Sequence, residues 1–196
     1  DRIAYEEARF ISINRRVNYQ SKLPKIIRSG IVHRIGLGLT APTIETDAPF
    51  NRFFERPLQW SLTYSLGYRF NRMHTIGLGT GFQHQSLGWH LPVFLEAESD
   101  FFQGDLSPTF SARATFLAPI GSVWRVDRLK SGNSYRIMAG LRKRNYSGRE
   151  TRLLFGWQYA FAEGERVEFD GGGNFIRNTI FARETGFIFA MSFHLQ

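Results

Sequence analysis

The segment FQHQSLGWH (82–90) carries His84 and Ser86 two positions apart, and Glu98 follows in the next apolar stretch. These are the residue types of a hydrolase. A serine hydroxyl attacks an ester when a neighbouring base takes its proton, and a carboxylate orients that base. Parity argues against convergence here. On a strand His84 shares the face of Phe82, whereas Glu98 belongs to the opposite face. His84 and His90 lack the third ligand that a zinc site requires, so no metal is expected. The run DGGGN (170–174) has the glycines of a loop tip without the Lys-Ser/Thr and helix of a phosphate cradle. No cofactor is expected.

A second set of reactive side chains is larger. Arg34, Arg69, Arg113, Arg136, Arg142 and Arg152 fall singly on the polar parity of alternating segments, as do Glu96, Glu98, Asp100 and Glu184. If that parity faces a closed interior, opposite charges there must pair, because a lone buried ion costs several kcal/mol. Glu96 and Glu98 then face the following strand, where Arg113 is the natural partner. Two functions suit such a set: a structural plug, or a selectivity ring or proton relay. The plug is the expectation, built on Glu96, Glu98, Asp100, Arg113, Arg136 and Arg142.

These positions take their meaning from the segments that hold them. LQWSLTYSLGYRF (58–70) alternates strictly, with Leu58, Trp60, Leu62, Tyr64, Leu66, Tyr68 and Phe70 on one parity and Gln59, Ser61, Thr63, Ser65, Gly67 and Arg69 on the other. Period two is the signature of a strand, since successive side chains point to opposite faces. The same pattern recurs over 31–40, 74–84, 91–101, 107–116, 134–144, 151–161 and 184–195. That predicts eight strands, each near the ~9–11 residues that a tilted strand needs to cross a bilayer. The connections alternate: 41–57 long, 71–72 tight, 85–90 medium, 103–106 short, 117–133 long, 145–148 short and 162–177 long. Long outer loops and short periplasmic turns are the asymmetry of an outer-membrane barrel.

The fold class that follows is all-β: an eight-stranded antiparallel up-and-down transmembrane β-barrel over 31–196, preceded by a basic N-terminal arm over 1–30. The Leu/Tyr/Trp parity meets lipid and the Ser/Thr/Gly/Arg parity meets the interior. Only a closed ring satisfies every backbone group in hydrocarbon. Trp60, Trp157 and Tyr159 toward the long loops, and Tyr68, Phe70 and Phe101 toward the short turns, fit interfacial girdles. A soluble lipid-binding barrel is the competing architecture, and it would reverse the two faces. In the arm, Ile3, Ala4, Ala8 and Ile11 fit a helix face, while Ile11, Ile13, Val17 and Tyr19 fit a strand equally well.

Composition agrees with export to a lipid environment. The 196 residues include 19 Phe, 19 Gly and no Cys, and the formal net charge is +8. The absence of Cys removes disulfides and thiolate metal sites. Mean hydropathy is −0.27, and no stretch approaches the ~20 consecutive apolar residues of a spanning helix. A barrel hides its apolar face by alternation, so this average does not exclude it. The basic residues are spread over inward positions, loops and the arm rather than one stripe. Anionic lipid headgroups and lipopolysaccharide are therefore the expected partners and nucleic acid is not. The sequence opens on Asp1 without a basic-then-apolar leader, as in an exported chain whose signal peptide has been removed or a trimmed one.

The run HTIGLGTGFQHQSLGWHLPVFLEAESDFFQGDLSPTFSARATF (74–116), with SYRIMAGLRKR and RLLFGWQYAF after it, resembles the central hairpins of small outer-membrane barrels of the Bacteroidota. Those barrels typically finish on an aromatic residue, whereas this sequence ends His194-Leu195-Gln196. His84, Ser86 and Glu98 are also similar in order and spacing to the His-x-Ser and Glu of outer-membrane lipid A deacylases. The pattern departs at Leu87, where those enzymes carry Asn, and in falling on the third strand. The expectation is a non-enzymatic barrel acting as an accessory subunit in a hetero-oligomer with other outer-membrane proteins. The small outward residues Ala97, Ala112, Ala114 and Ala139 are its expected partner face. Phe50, Phe53, Phe54, Trp124 and Phe169 add apolar surface in the loops.

Overall fold

The computed structural model describes residues 29–46, 58–71, 73–122, 127–145, 148–169, 172 and 175–195. The expected alternating segments become β1 (Gly30–Thr46), β2 (Gln59–Arg69), β3 (His74–Gln85), β4 (Gly88–Asp100), β5 (Leu106–Ser122), β7 (Gly132–Arg144), β8 (Glu150–Phe169) and β9 (Phe175–Leu195). A two-residue strand, β6 (Arg128–Leu129), sits at the rim and pairs only with β8. Each long strand pairs antiparallel with its chain neighbours. The ring closes where β1 meets β9, with Ile35 opposite Phe193 and Leu39 opposite Phe189. This is an eight-stranded antiparallel barrel.

Closure removes the edges that would leave N–H and C=O groups unpaired, and it fixes which parity is inside. Along β2, Gln59, Ser61, Thr63, Ser65 and Arg69 are buried while Trp60, Leu62, Tyr64, Leu66 and Tyr68 are exposed. From Trp60 to Phe70 the chain advances ~33 Å, or ~25 Å along the membrane normal at a tilt of ~40°. That matches the apolar band of outer-membrane barrels. A soluble lipid-binding barrel would carry its apolar residues inside, and here the interior is polar and the large hydrophobics lie outside.

One wall is thinned for a purpose. Gly77, Gly79 and Gly81 of β3 face inward, and Phe94 of β4 is buried among them. A Cβ on Gly79 would lie 2.2 Å from Phe94 Cζ and 2.5 Å from Tyr64 O, so the ring needs that glycine.

Three connections differ from expectation. The medium loop at 85–90 is a tight turn at Ser86–Leu87. The long loops at 117–133 and 162–177 are shortened because β5 runs to Ser122 and the β8–β9 ladder continues to the Phe169–Phe175 pair. Beyond the hydrocarbon both faces of a strand meet water, so alternation is no longer enforced although inter-strand hydrogen bonding continues. The arm residues 1–28, Phe50, Phe53, Phe54, Trp124 and most of DGGGN lie outside the described residues.

Candidate functional site

The interior is built in layers from the inward parity of all eight long strands. At the short-turn end Glu150, the first residue of β8, is the hub. It accepts from Arg69 Nη1 at 3.0 Å and Nη2 at 2.7 Å, and from Arg144 Nε at 2.8 Å. His194 Nδ1 of β9 lies 2.9 Å from Glu150 Oε2, and Arg142 and Arg152 approach within 3.5 Å. Asp100 pairs with Arg152 at 3.2 Å and Arg142 at 3.5 Å. Arg142 Nη2 also donates to Phe102 O at 2.9 Å and Gly104 O at 3.0 Å, tying down the β4–β5 turn.

Above this, Glu98 bridges Arg34 and Arg152. Glu96 accepts from Arg34 Nη1 at 2.6 Å and from Arg113 Nε at 2.7 Å. Arg113 is directly opposite Glu96 in the β4–β5 register, and its guanidinium lies 4.0 Å from the centre of the Phe94 ring. Higher still, Arg136 meets amides and a hydroxyl rather than a carboxylate. It donates from Nε to Gln158 Oε1 at 2.6 Å and from Nη2 to Gln83 Oε1 at 2.9 Å, with Ser61 Oγ at 3.5 Å.

Near the outer end, Glu184 accepts from the backbone N–H of Ser86 at 3.0 Å, from the Ser86 hydroxyl and from Gln59 Nε2 at 2.5 Å. Leu87, Leu129, Ala162, Ile180 and Ala182 then form an apolar cluster across the top. Charged groups are thus paired or hydrogen-bonded, with buried apolar residues clustered at the outer end.

Outside the hydrocarbon, Lys130 Nζ lies 3.0 Å from Glu165 Oε1 and also contacts Glu163. Hydrogen bonds from Glu163 and then Glu165 push the Lys130 ammonium above its ordinary pKa. The hydrogen bond from Lys130 holds the Glu165 carboxyl below its own.

The hydrolase constellation is not assembled. Ser86 is engaged by Glu184, and His84 stacks edge-on against Trp89 with ring centres 5.0 Å apart. Glu98 sits opposite Thr75 at the far end of β3, held by Arg34 and Arg152. The separation follows from topology, since Ser86 turns the chain at one end and Glu98 approaches the other. Among the described residues no three His, Asp or Glu side chains gather where a metal would bind.

The girdle residues Trp60, Tyr68, Trp157 and Tyr159 are all exposed on the outer wall, and Trp60 packs edge-on against Trp89. The four alanines are neighbours: Ala97 is opposite Ala112, Ala114 is opposite Leu95 and Tyr135, and Ala139 is opposite Phe110. Sequence reasoning missed Glu150, Arg144 and His194. Stepping by two from Arg152, Arg142 and Ser192 reaches all three.

No family model and no curated protein matches the chain. Among solved structures, the outer membrane protein OprG from Pseudomonas aeruginosa superposes with a TM-score of 0.52 at 9% identity, covering 85% of this chain and 97% of that one. The chain folds as an outer-membrane β-barrel. Neisserial surface protein A gives a TM-score of 0.45 at 12% identity, over 83% of this chain and 97% of that one. The N-terminal β-barrel domain of Pseudomonas aeruginosa OprF gives 0.33 at 15% identity, over 80% and 96%. At these identities the likeness is one of fold.

Proposed function

We propose that this barrel resides in a bacterial outer membrane, of the Bacteroidota type that its central hairpins resemble, and acts there without catalysis. Its role is that of an accessory or structural subunit in a larger envelope complex, one that inserts outer-membrane proteins, secretes proteins or imports nutrients. The observation that carries this reading is the filled interior. Glu150, Glu98 and Glu96 are committed to arginines with the apolar cluster above them, which supports a structural interior rather than a conducting or catalytic one.

What remains for function is the outside. The wall presents lipid-facing aromatics and, on β4, β5 and β7, the recess of Ala97, Ala112, Ala114 and Ala139, where another membrane protein would approach closely. Lipopolysaccharide and a protein neighbour are the partners this surface suits. Extraction from the native host in mild detergent, followed by native gel and mass spectrometry, tests the reading. The chain should migrate in a hetero-oligomer, and Ala112→Phe with Ala114→Phe should release it while the barrel stays heat-modifiable. A monodisperse monomer with no co-purifying protein contradicts the assignment.

A further inference from the structure

We propose that the layer of the lumen between Arg34 and Arg136 binds a monovalent anion of halide size. A cavity of about 20 Å³ lies there, lined among others by Arg34, Ser61, Thr63, Ser65, Arg136 and Ser192. One water-sized occupant needs ~10–15 Å³ on this scale, so the space suits a single small ion.

Charge selects the sign. Three guanidiniums line this layer, those of Arg34, Arg113 and Arg136, against two carboxylates, Glu96 and Glu98. Glu98 is shared with Arg152 of the layer below. Arg136 forms no ion pair among the described residues and is held only by neutral groups, Gln158, Gln83 and Ser61. In a medium of low dielectric such a surplus is costly, and a water molecule supplies hydrogen bonds but no compensating charge.

Arg34 and Ser192 both line the cavity; Arg34 is 3% exposed, yet its Nε and its Nη2, which lies toward Gly67 and Gly77, have no acceptor, and the Ser192 hydroxyl has no partner. Gly36 and Gly38 keep the β1 wall recessed, since a Cβ on them would lie 2.8 Å from Thr63 Oγ1 and 2.7 Å from Ser61 Oγ. Hydroxyl and guanidinium N–H groups are the donors that a desolvated halide requires, and the guanidinium charges disfavour a cation.

The test uses the folded barrel in detergent, crystallised with sodium bromide in place of chloride. An anomalous peak is expected inside the barrel between Arg34, Ser65 and Arg136. In solution, the unfolding midpoint should be higher in chloride than in gluconate at equal ionic strength. It should rise with the logarithm of chloride concentration above the dissociation constant. Arg136→Gln should remove that chloride dependence. If this variant does not fold, Ser192→Ala supplies the same comparison. Bromide peaks confined to the exterior, or none at all, overturn the proposal whatever the thermal result.

Discussion

Glu150 shows how much of the interior depends on single atoms. One carboxylate satisfies Arg69 and Arg144, receives His194, and draws in Arg142 and Arg152. Removing its charge would strand several desolvated cations at once, and breaking a buried pair costs ~3–5 kcal/mol. Glu150→Gln is therefore expected to lower unfolding free energy in lipid vesicles by about that amount, read by denaturant titration with tryptophan fluorescence. A loss below about 1 kcal/mol would show that the cluster is not the anchor of the barrel. The same residue marks where sequence reading stopped short. Starting the seventh segment at Thr151 rather than Glu150 left the hub outside the strand, whereas the inward arginines, spaced by two, were plain. Phe94 was legible by the same parity, since it steps by two from Glu96 and Glu98 to the inward face; what the alternation did not say is that Gly79 of the neighbouring strand makes room for its ring.

At the scale of elements, legibility followed the solvent. Within the bilayer, lipid on one side and the packed lumen on the other enforce alternation, so β2 and β7 are readable almost residue by residue. Residues 165–169 of β8 and 175–179 of β9 lie where both faces are wet, and their sequence lost its period although the ladder runs on to Phe169 and Phe175. This ledge is fastened at its base by Lys130 to Glu163 and Glu165. Its pH dependence has a definite sign. Glu165 titrates below its unfolded value, so its contribution is present above the unfolded carboxylate range and is lost as pH falls through the folded pKa. Lys130 titrates above its unfolded value, so its contribution is present below that value and is lost as pH rises through the folded pKa. Protection factors of the amides of residues 163–166, corrected for the intrinsic exchange rate at each pH, should thus be highest near neutral pH and fall at both extremes, with a modest amplitude because the pair is partly exposed. A flat profile would remove the ion pair from the account of the ledge.

For the whole molecule, the layered interior predicts an electrically silent protein. Planar bilayers containing the purified barrel should show no steady conductance of porin type, while the protein remains heat-modifiable on gels. A stable open level would contradict the packing of Glu98 between Arg34 and Arg152. Ring closure has a further consequence, one of kinetics. The seam pairs β1 with β9, reaching His33 opposite Leu195, so it joins the two ends of the barrel chain. Pairings at such separation carry the largest loop-closure entropy and form slowly. Until β9 arrives, β1 is an open template with an unpaired row of donors and acceptors, which hydrocarbon does not tolerate. His194 reaches Glu150 only when that last strand docks. Completion of the hydrogen-bonded cluster around Glu150 and sealing of the wall are therefore one event, and a half-zipped intermediate has both an unsatisfied edge and an unsatisfied core. Such a species is open to capture by any chain offering a free strand, so the final step of assembly is also the one at which this sequence is most exposed to misassembly.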